Sequence, residues 1–121
     1  MNTRLKPVGL SLLLATSIAF GQNSAPNPYE TVEGWARLPD AREWGATSAV
    51  YPTNDGMHLW IAERCGANLC VGSDVDPVLL FDLDGNVVRS FGAGMITWPH
   101  GIFVDADDNV WIATSRIPNC R

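Results

Sequence analysis

Three kinds of residue in this 121-residue chain have types and spacings suited to chemistry. His100 stands in Trp98-Pro99-His100-Gly101, directly ahead of the β-branched run Ile102-Phe103-Val104. Proline fixes the approach and glycine lets the backbone pass close to a neighbour, so an imidazole is held at a strand entrance. An imidazole can ligate a metal or move a proton; its competing role here is that of a turn and packing element. Cys65 and Cys70, in the hexapeptide CGANLC, are spaced to close a short loop. A disulfide is expected; a metal pair would need two more ligands, and the adjacent residues offer none. The third cysteine, Cys120, is left over. Acidic side chains gather at Asp74 and Asp76, at Asp82 and Asp84, and from Asp105 to Asp108. These read as solvated turns, with cation binding as the alternative. His58, also in a turn, reads as solvent-exposed.

The elements that must position these residues are strands. Residues 101–104 (GIFV) and 110–113 (VWIA) are apolar runs around the turn cluster at 105–109, which makes a β-hairpin. Residues 48–51 and 59–62 flank the turn PTNDG in the same way. LWIAER at 59–64 matches VWIATS at 110–115, an internal repeat with an offset of 51 residues. Between the copies, 78–81 is a buried-type strand, Asp84-Gly85 a hairpin turn, and 87–91 an alternating strand. One period therefore holds an inner hairpin, a long loop with the cysteine pair, and an outer hairpin. This is the layout of a four-stranded β-propeller blade. Trp60 and Trp111 hold equivalent positions and are expected in the core between blades, with Phe81 and Phe91 as packing residues.

A single blade cannot bury both faces, and propellers close with about four to eight. The chain carries about one and a half, so the expectation is an N-terminal fragment of a longer propeller, with a complete small domain as the alternative.

Residues 1–21 read as a signal peptide: Arg4 and Lys6 precede an apolar run over 8–20, and Ala19-Phe20-Gly21 sets small residues for cleavage before Gln22. The run is shorter than the roughly 20 residues a spanning helix needs. The mature chain is expected to be secreted or periplasmic. Residues 22–47 form a leader and edge segment, with Trp35 and Trp44 packing onto the main body, and 48–121 hold the blades. Cleavage leaves six arginines against thirteen carboxylates, a net charge of −7. That balance excludes nucleic acid and anionic membrane surfaces as natural partners.

The segment PHGIFVDADDNVWIA resembles the NHL-repeat group of β-propellers, with Asp108 in place of the turn glycine. Within that group the chain is similar to the catalytic propeller of peptidyl-α-hydroxyglycine α-amidating lyase. The likeness rests on LWIAERCG and on the outer hairpin running directly into His100, and spans residues 48–113. It implies an all-β propeller, six-bladed when complete. It also implies a zinc-dependent lyase that breaks a C–N bond to give an amide and glyoxylate from a small-molecule or peptide substrate.

By the same resemblance, His100 would be one of three zinc-binding histidines and Arg64 the active-site arginine. Ile102 would offer its backbone carbonyl to a calcium ion in the central channel. The remaining zinc ligands and the catalytic tyrosine would lie beyond Arg121, so the fragment alone would be inactive. Two other readings stand beside this one. The first is a non-catalytic NHL propeller that binds a protein or small ligand. The second is a gluconolactonase-like metal-dependent hydrolase, for which Glu63 is the acidic candidate.

Overall fold

The structure is a computed structural model and describes residues 25–115. The signal-peptide expectation for 1–21 and the leftover Cys120 lie outside the described residues. The chain divides into two compact units, Met1–Glu30 and Thr31–Arg121. In the first, residues 25–30 are exposed, and the Tyr29 amide donates to Asn27 Oδ1 at 3.1 Å. Strands, sheets and core belong to the second.

The described residues of that unit are all-β apart from one 3₁₀ turn at Pro39–Ala41. Strands β1 (Thr47–Pro52), β2 (His58–Glu63), β3 (Val78–Asp82) and β4 (Val87–Phe91) pair in chain order as an antiparallel meander. Strands β5 (Pro99–Val104) and β6 (Val110–Thr114) form a separate antiparallel pair. Among the described residues no helix is long and apolar enough to cross a membrane.

Burial follows from position. Strand β2 lies between β1 and β3 and has apolar neighbours on both faces. Its residues Trp60, Ile61, Ala62 and Glu63 are all buried, which is why it reads as an unbroken apolar run. Strand β4 is the outer edge, and Arg89 and Ser90 sit exposed on it, a composition that discourages pairing with another chain.

The two faces of the four-stranded sheet are covered differently. Trp60 and Val78, with Tyr51, Leu80 and Phe91 beside them, pack against Val104, Ile102, Val110 and Ile112 of the β5–β6 pair. The Phe91 ring meets the Trp60 ring edge-on at 5.7 Å. On the other face Ile61, Leu79 and Phe81 are covered by a strap over residues 35–44. Trp35 and Trp44 both pack on Phe81, at 6.0 and 5.8 Å between ring centroids.

The strap is a loop, joined to the sheet by one isolated parallel bridge, Arg37 with Asn86. It grips the β3–β4 turn through three carbonyls: Trp35 Nε1 donates to Leu83, Arg37 Nη2 to Asp84, and the Arg37 amide to Gly85. Gly85 has φ +79° and passes so close to the Trp35 carbonyl that a Cβ would collide with it, so only glycine fits this turn.

The repeat at an offset of 51 residues is present in three dimensions. Trp60 of β2 and Trp111 of β6 occupy the same place in their hairpins, opposite Tyr51 and Phe103 respectively. Their surroundings differ, since Trp60 is 4% exposed and Trp111 61%. The expectation that both lie in a core holds only for Trp60. Trp60 has the β5–β6 pair across from it, whereas Trp111 looks out from the far face of that pair.

His58 also differs from expectation. It opens strand β2 and is half-buried, and its amide donates to Thr53 Oγ1 while its carbonyl accepts from the Thr53 amide, closing the β1–β2 turn.

The β5–β6 turn is organised by Asp105. Its carboxylate accepts from Trp111 Nε1 at 2.9 Å and from the backbone amides of Asp107 and Asn109. These bonds, that of Trp111 foremost, favour the ionised form and pull its pKa down from 3.8 to about 2. Asp108 stands at φ +61°, the left-handed region that the turn requires and that aspartate tolerates better than most residues. Asn54, in the first copy's turn, reaches across to the Asp105 carbonyl at 2.7 Å and to Asp108 Oδ1 at 2.8 Å.

Candidate functional site

Arg64 directly follows strand β2, and His100 is the second residue of β5. The structure brings them to opposite sides of one contact chain. The Arg64 guanidinium carbon lies 4.3 Å from the centroid of the Trp98 ring, and the His100 ring meets that indole edge-on at 5.5 Å. A guanidinium over an indole face is held by the ring's quadrupole, worth about 0.5–2 kcal/mol depending on desolvation.

His100 owes its direction to a break in the ladder. In the β5–β6 register Pro99 pairs with Thr114 and Gly101 with Ala113, which leaves His100 as an extra residue without a partner across the strand. A bulge of this kind re-aims a side chain at the end of a hairpin. His100 is accordingly exposed while Pro99 beside it is buried. The first copy of the repeat has a matching irregularity between Thr47 and Ala49, with Ser48 as the extra residue.

Arg64 is held by two hydrogen bonds besides the indole. Its Nε donates to the Pro99 carbonyl at 3.3 Å, and Nη1 donates to Asn68 Oδ1 at 2.7 Å. Neither bond uses Nη2, which has no acceptor among the described residues. The side chain does not pair with Glu63 or Asp74.

The expected disulfide is present: Cys65 and Cys70 are bonded, with their Cα atoms 5.2 Å apart. The loop it closes starts right after Arg64. Cys65 itself has φ +56°, and the Cys70 amide donates to the Thr97 carbonyl at 2.7 Å. The bridge therefore ties the residue after Arg64 to the residue before Trp98.

Glu63 has a structural role. Its side chain is fully buried; Oε1 pairs with Arg42 Nη2 at 2.6 Å, and Oε2 accepts from the amides of Gly45 at 3.1 Å and Gly66 at 3.0 Å. One carboxylate thus joins the strap, strand β2 and the disulfide loop. Gly45 is so close to Gly66 and Ala67 that a Cβ would lie 2.6 Å from the Ala67 amide nitrogen.

For metals, the described residues supply little. Among them no group of three or more His, Cys, Asp or Glu side chains converges. His100 offers one imidazole, whereas a catalytic zinc takes three protein ligands. Ile102 lies mid-strand opposite Ile112, its side chain in the apolar core between the sheets. One backbone carbonyl likewise falls far short of the six to eight oxygens calcium takes. These residues alone do not fit either ion.

A groove of about 380 Å³ runs along the outer face of β5–β6, lined by Gly101, Phe103, Trp111 and Ala113 among others. It does not include Arg64 or His100. The sequence pointed to Arg64, His100 and the disulfide, but gave no role in the site to Trp98, which links them. The signal for it was there: an aromatic residue directly before Pro-His-Gly, at the entrance of the strand that carries the candidate histidine. No protein-family model, curated protein or solved structure matches this chain.

Proposed function

We propose that this chain is part of an exported NHL-type β-propeller whose complete form is a zinc-dependent peptidyl-α-hydroxyglycine lyase, acting on small-molecule or peptide substrates. The observation that carries the reading is the contact of Arg64 and His100 with the same indole. Two residues singled out for one site by resemblance, one just past the end of β2 and one in β5, meet at one place. Support for the propeller comes from the meander of four strands followed by a second hairpin that packs on it, with Trp60 of one copy covered by the next.

In this reading Arg64 contributes a fixed cation, with Nη2 directed to a substrate carboxylate or to negative charge that develops as the C–N bond breaks. His100 contributes an imidazole from a bulge at a strand entrance. Zinc, when held by His100 and by histidines of further repeats, would supply Lewis acidity. Calcium would sit in the channel near Ile102. Further repeats would also cover the Trp111 face.

The hydrolase reading depends on Glu63, and its carboxylate is already occupied by Arg42, Gly45 and Gly66, which weighs for the lyase. A non-catalytic propeller is favoured by one observation, the apolar groove at Phe103 and Trp111, which is a surface for a binding partner if no repeat covers it.

The test is the zinc and calcium content of the protein carrying its neighbouring repeats, beside a His100→Ala variant. Stoichiometric zinc that disappears with His100, together with glyoxylate release from a peptidyl hydroxyglycine, is the expected result. A folded protein with no zinc would exclude the lyase and leave the binding propeller.

A further inference from the structure

Residues 97, 98 and 99 present three consecutive carbonyls, and each accepts a hydrogen bond from a different part of the chain. Thr97 takes the Cys70 amide at 2.7 Å, Trp98 the Thr114 hydroxyl at 3.1 Å, and Pro99 the Arg64 Nε at 3.3 Å. The disulfide loop, the end of β6 and the end of β2 therefore all fasten the same short segment. Proline at 99 removes a donor and fixes φ there, which stiffens it further. The side chain that this fastening immobilises is the Trp98 indole.

The indole in turn touches both candidate residues and, among the described residues, is the only ring to do so. The Arg64 guanidinium lies over it, and the His100 ring stands edge-on to it at an interplanar angle of 68°. Arg64 is a long, rotamer-rich side chain, and His100 sits exposed on a bulge. Two hydrogen bonds fix the edge of the Arg64 guanidinium, and the indole is the surface on which its plane and the His100 ring both rest.

We propose that Trp98 is a positioning residue of this site: a rigid platform that sets the plane of the Arg64 guanidinium and the tilt of the His100 imidazole together. Within that plane the hydrogen bonds direct the arginine: with Nε turned to Pro99 and Nη1 to Asn68, Nη2 is the nitrogen offered to an anionic ligand. The purpose of the site rests on the lyase reading; the platform geometry stands apart from it.

The experiment measures that geometry in the metal-free chain, without turnover. Ring currents of an indole face move the Arg64 Nε–H and Cδ–H signals upfield and displace the His100 ring protons, and these shifts are read by NMR. Assignment comes from Arg64→Lys and His100→Gln. Trp98→Leu keeps the apolar bulk but removes the ring, and both sets of signals are expected to move to the values of unstacked side chains. Trp98→Phe keeps a smaller ring, and both are expected to keep displacements of the same sign but reduced size.

Oxidation of Cys65–Cys70 and the far-ultraviolet strand spectrum serve as controls for folding. If Trp98→Leu does not fold, the Trp98→Phe shifts decide. Unchanged signals in either folded variant would overturn the proposal, as would Arg64 moving while His100 does not. Because removing the ring removes its ring current wherever the two side chains lie, positioning is read from side-chain order: the His100 χ1 couplings and the Arg64 Nε–H relaxation are expected to pass from single-rotamer to averaged values in Trp98→Leu, and single-rotamer values kept in that folded variant would overturn the proposal. Loss of zinc or of lyase activity plays no part in this readout, so the platform and the lyase reading can fail separately.

Discussion

Arg42 and Glu63 form an ion pair at 2.6 Å in which the Glu63 side chain is fully buried and the Arg42 side chain is 18% exposed. Arg42 Nη2 also donates to the Asp76 carbonyl at 3.2 Å, while its buried Nε has no partner among the described residues. The pair therefore holds the strap to the end of β2 with one arginine donor unmatched. Removing one partner of a buried pair leaves an uncompensated charge and costs about 3–5 kcal/mol. Arg42→Met is expected to lie at the lower end of that range, because the Gly45 and Gly66 amides still solvate Glu63. Denaturant unfolding of the two proteins side by side checks it, and a loss below about 1 kcal/mol would show that the strap does not depend on the pair.

The Cys65–Cys70 bridge closes a loop with a sequence separation of 5. Loop-closure entropy for so short a ring amounts to about 2 kcal/mol. Replacing both cysteines by serine is expected to lower stability by that amount, and dithiothreitol is expected to do the same to the parent chain and nothing to the double variant. Equal sensitivity of the two proteins to reductant would mean that the bridge contributes nothing to the fold.

How far these features were legible in the sequence depended on range. Strands β2 and β6 were visible because their apolar runs and flanking turns are local, and the resemblance to the NHL repeat put Asp108 in the place of a turn glycine. The disulfide was legible from six residues. The partnership of Arg42 with Glu63 was not, because nothing near either residue says that a strap will fold back across a sheet. Trp111 was misplaced for a related reason: repeat equivalence fixes where a side chain points, while burial also needs a neighbour on that side. Trp98 was passed over since its contact with Arg64 spans 34 positions, although His100 stands only two residues away.

Asp105 supplies a pH dependence whose direction can be worked out. Its folded pKa of about 2 lies below the ordinary 3.8, so the folded state favours the ionised form. The resulting stability is fully present above about pH 4 and is lost as pH falls toward 2. Asp55, through the Thr53 hydroxyl, and Asp82, through the Asn86 amide, are shifted down in the same direction. Stability is expected to be flat above pH 4 and to fall below it. Trp111→Phe removes the largest cause at Asp105, and its carboxyl carbon, followed by NMR, is expected to titrate closer to 3.8. An unaltered midpoint would assign the shift to the backbone amides instead.

Trp60 and Trp111 offer the sharpest test of the repeat, because they are the same residue at the same place in two hairpins. Trp60 is buried against Phe91 and the β5–β6 pair, and truncating a buried tryptophan to alanine costs about 3–5 kcal/mol. Trp111 is 61% exposed, and its firm tie is the bond to Asp105. Trp111→Ala is therefore expected to cost far less than Trp60→Ala, because most of the Trp111 ring is already in solvent. In a longer protein with another repeat packed on that face, the two costs should converge, since the new neighbour would bury Trp111 as β5–β6 buries Trp60. Thermal or denaturant unfolding of both alanine variants in both proteins distinguishes the cases. If Trp111→Ala stays cheap in the longer protein, the face at Trp111 is not covered as the face at Trp60 is, and the stacked-blade architecture proposed for the complete molecule fails.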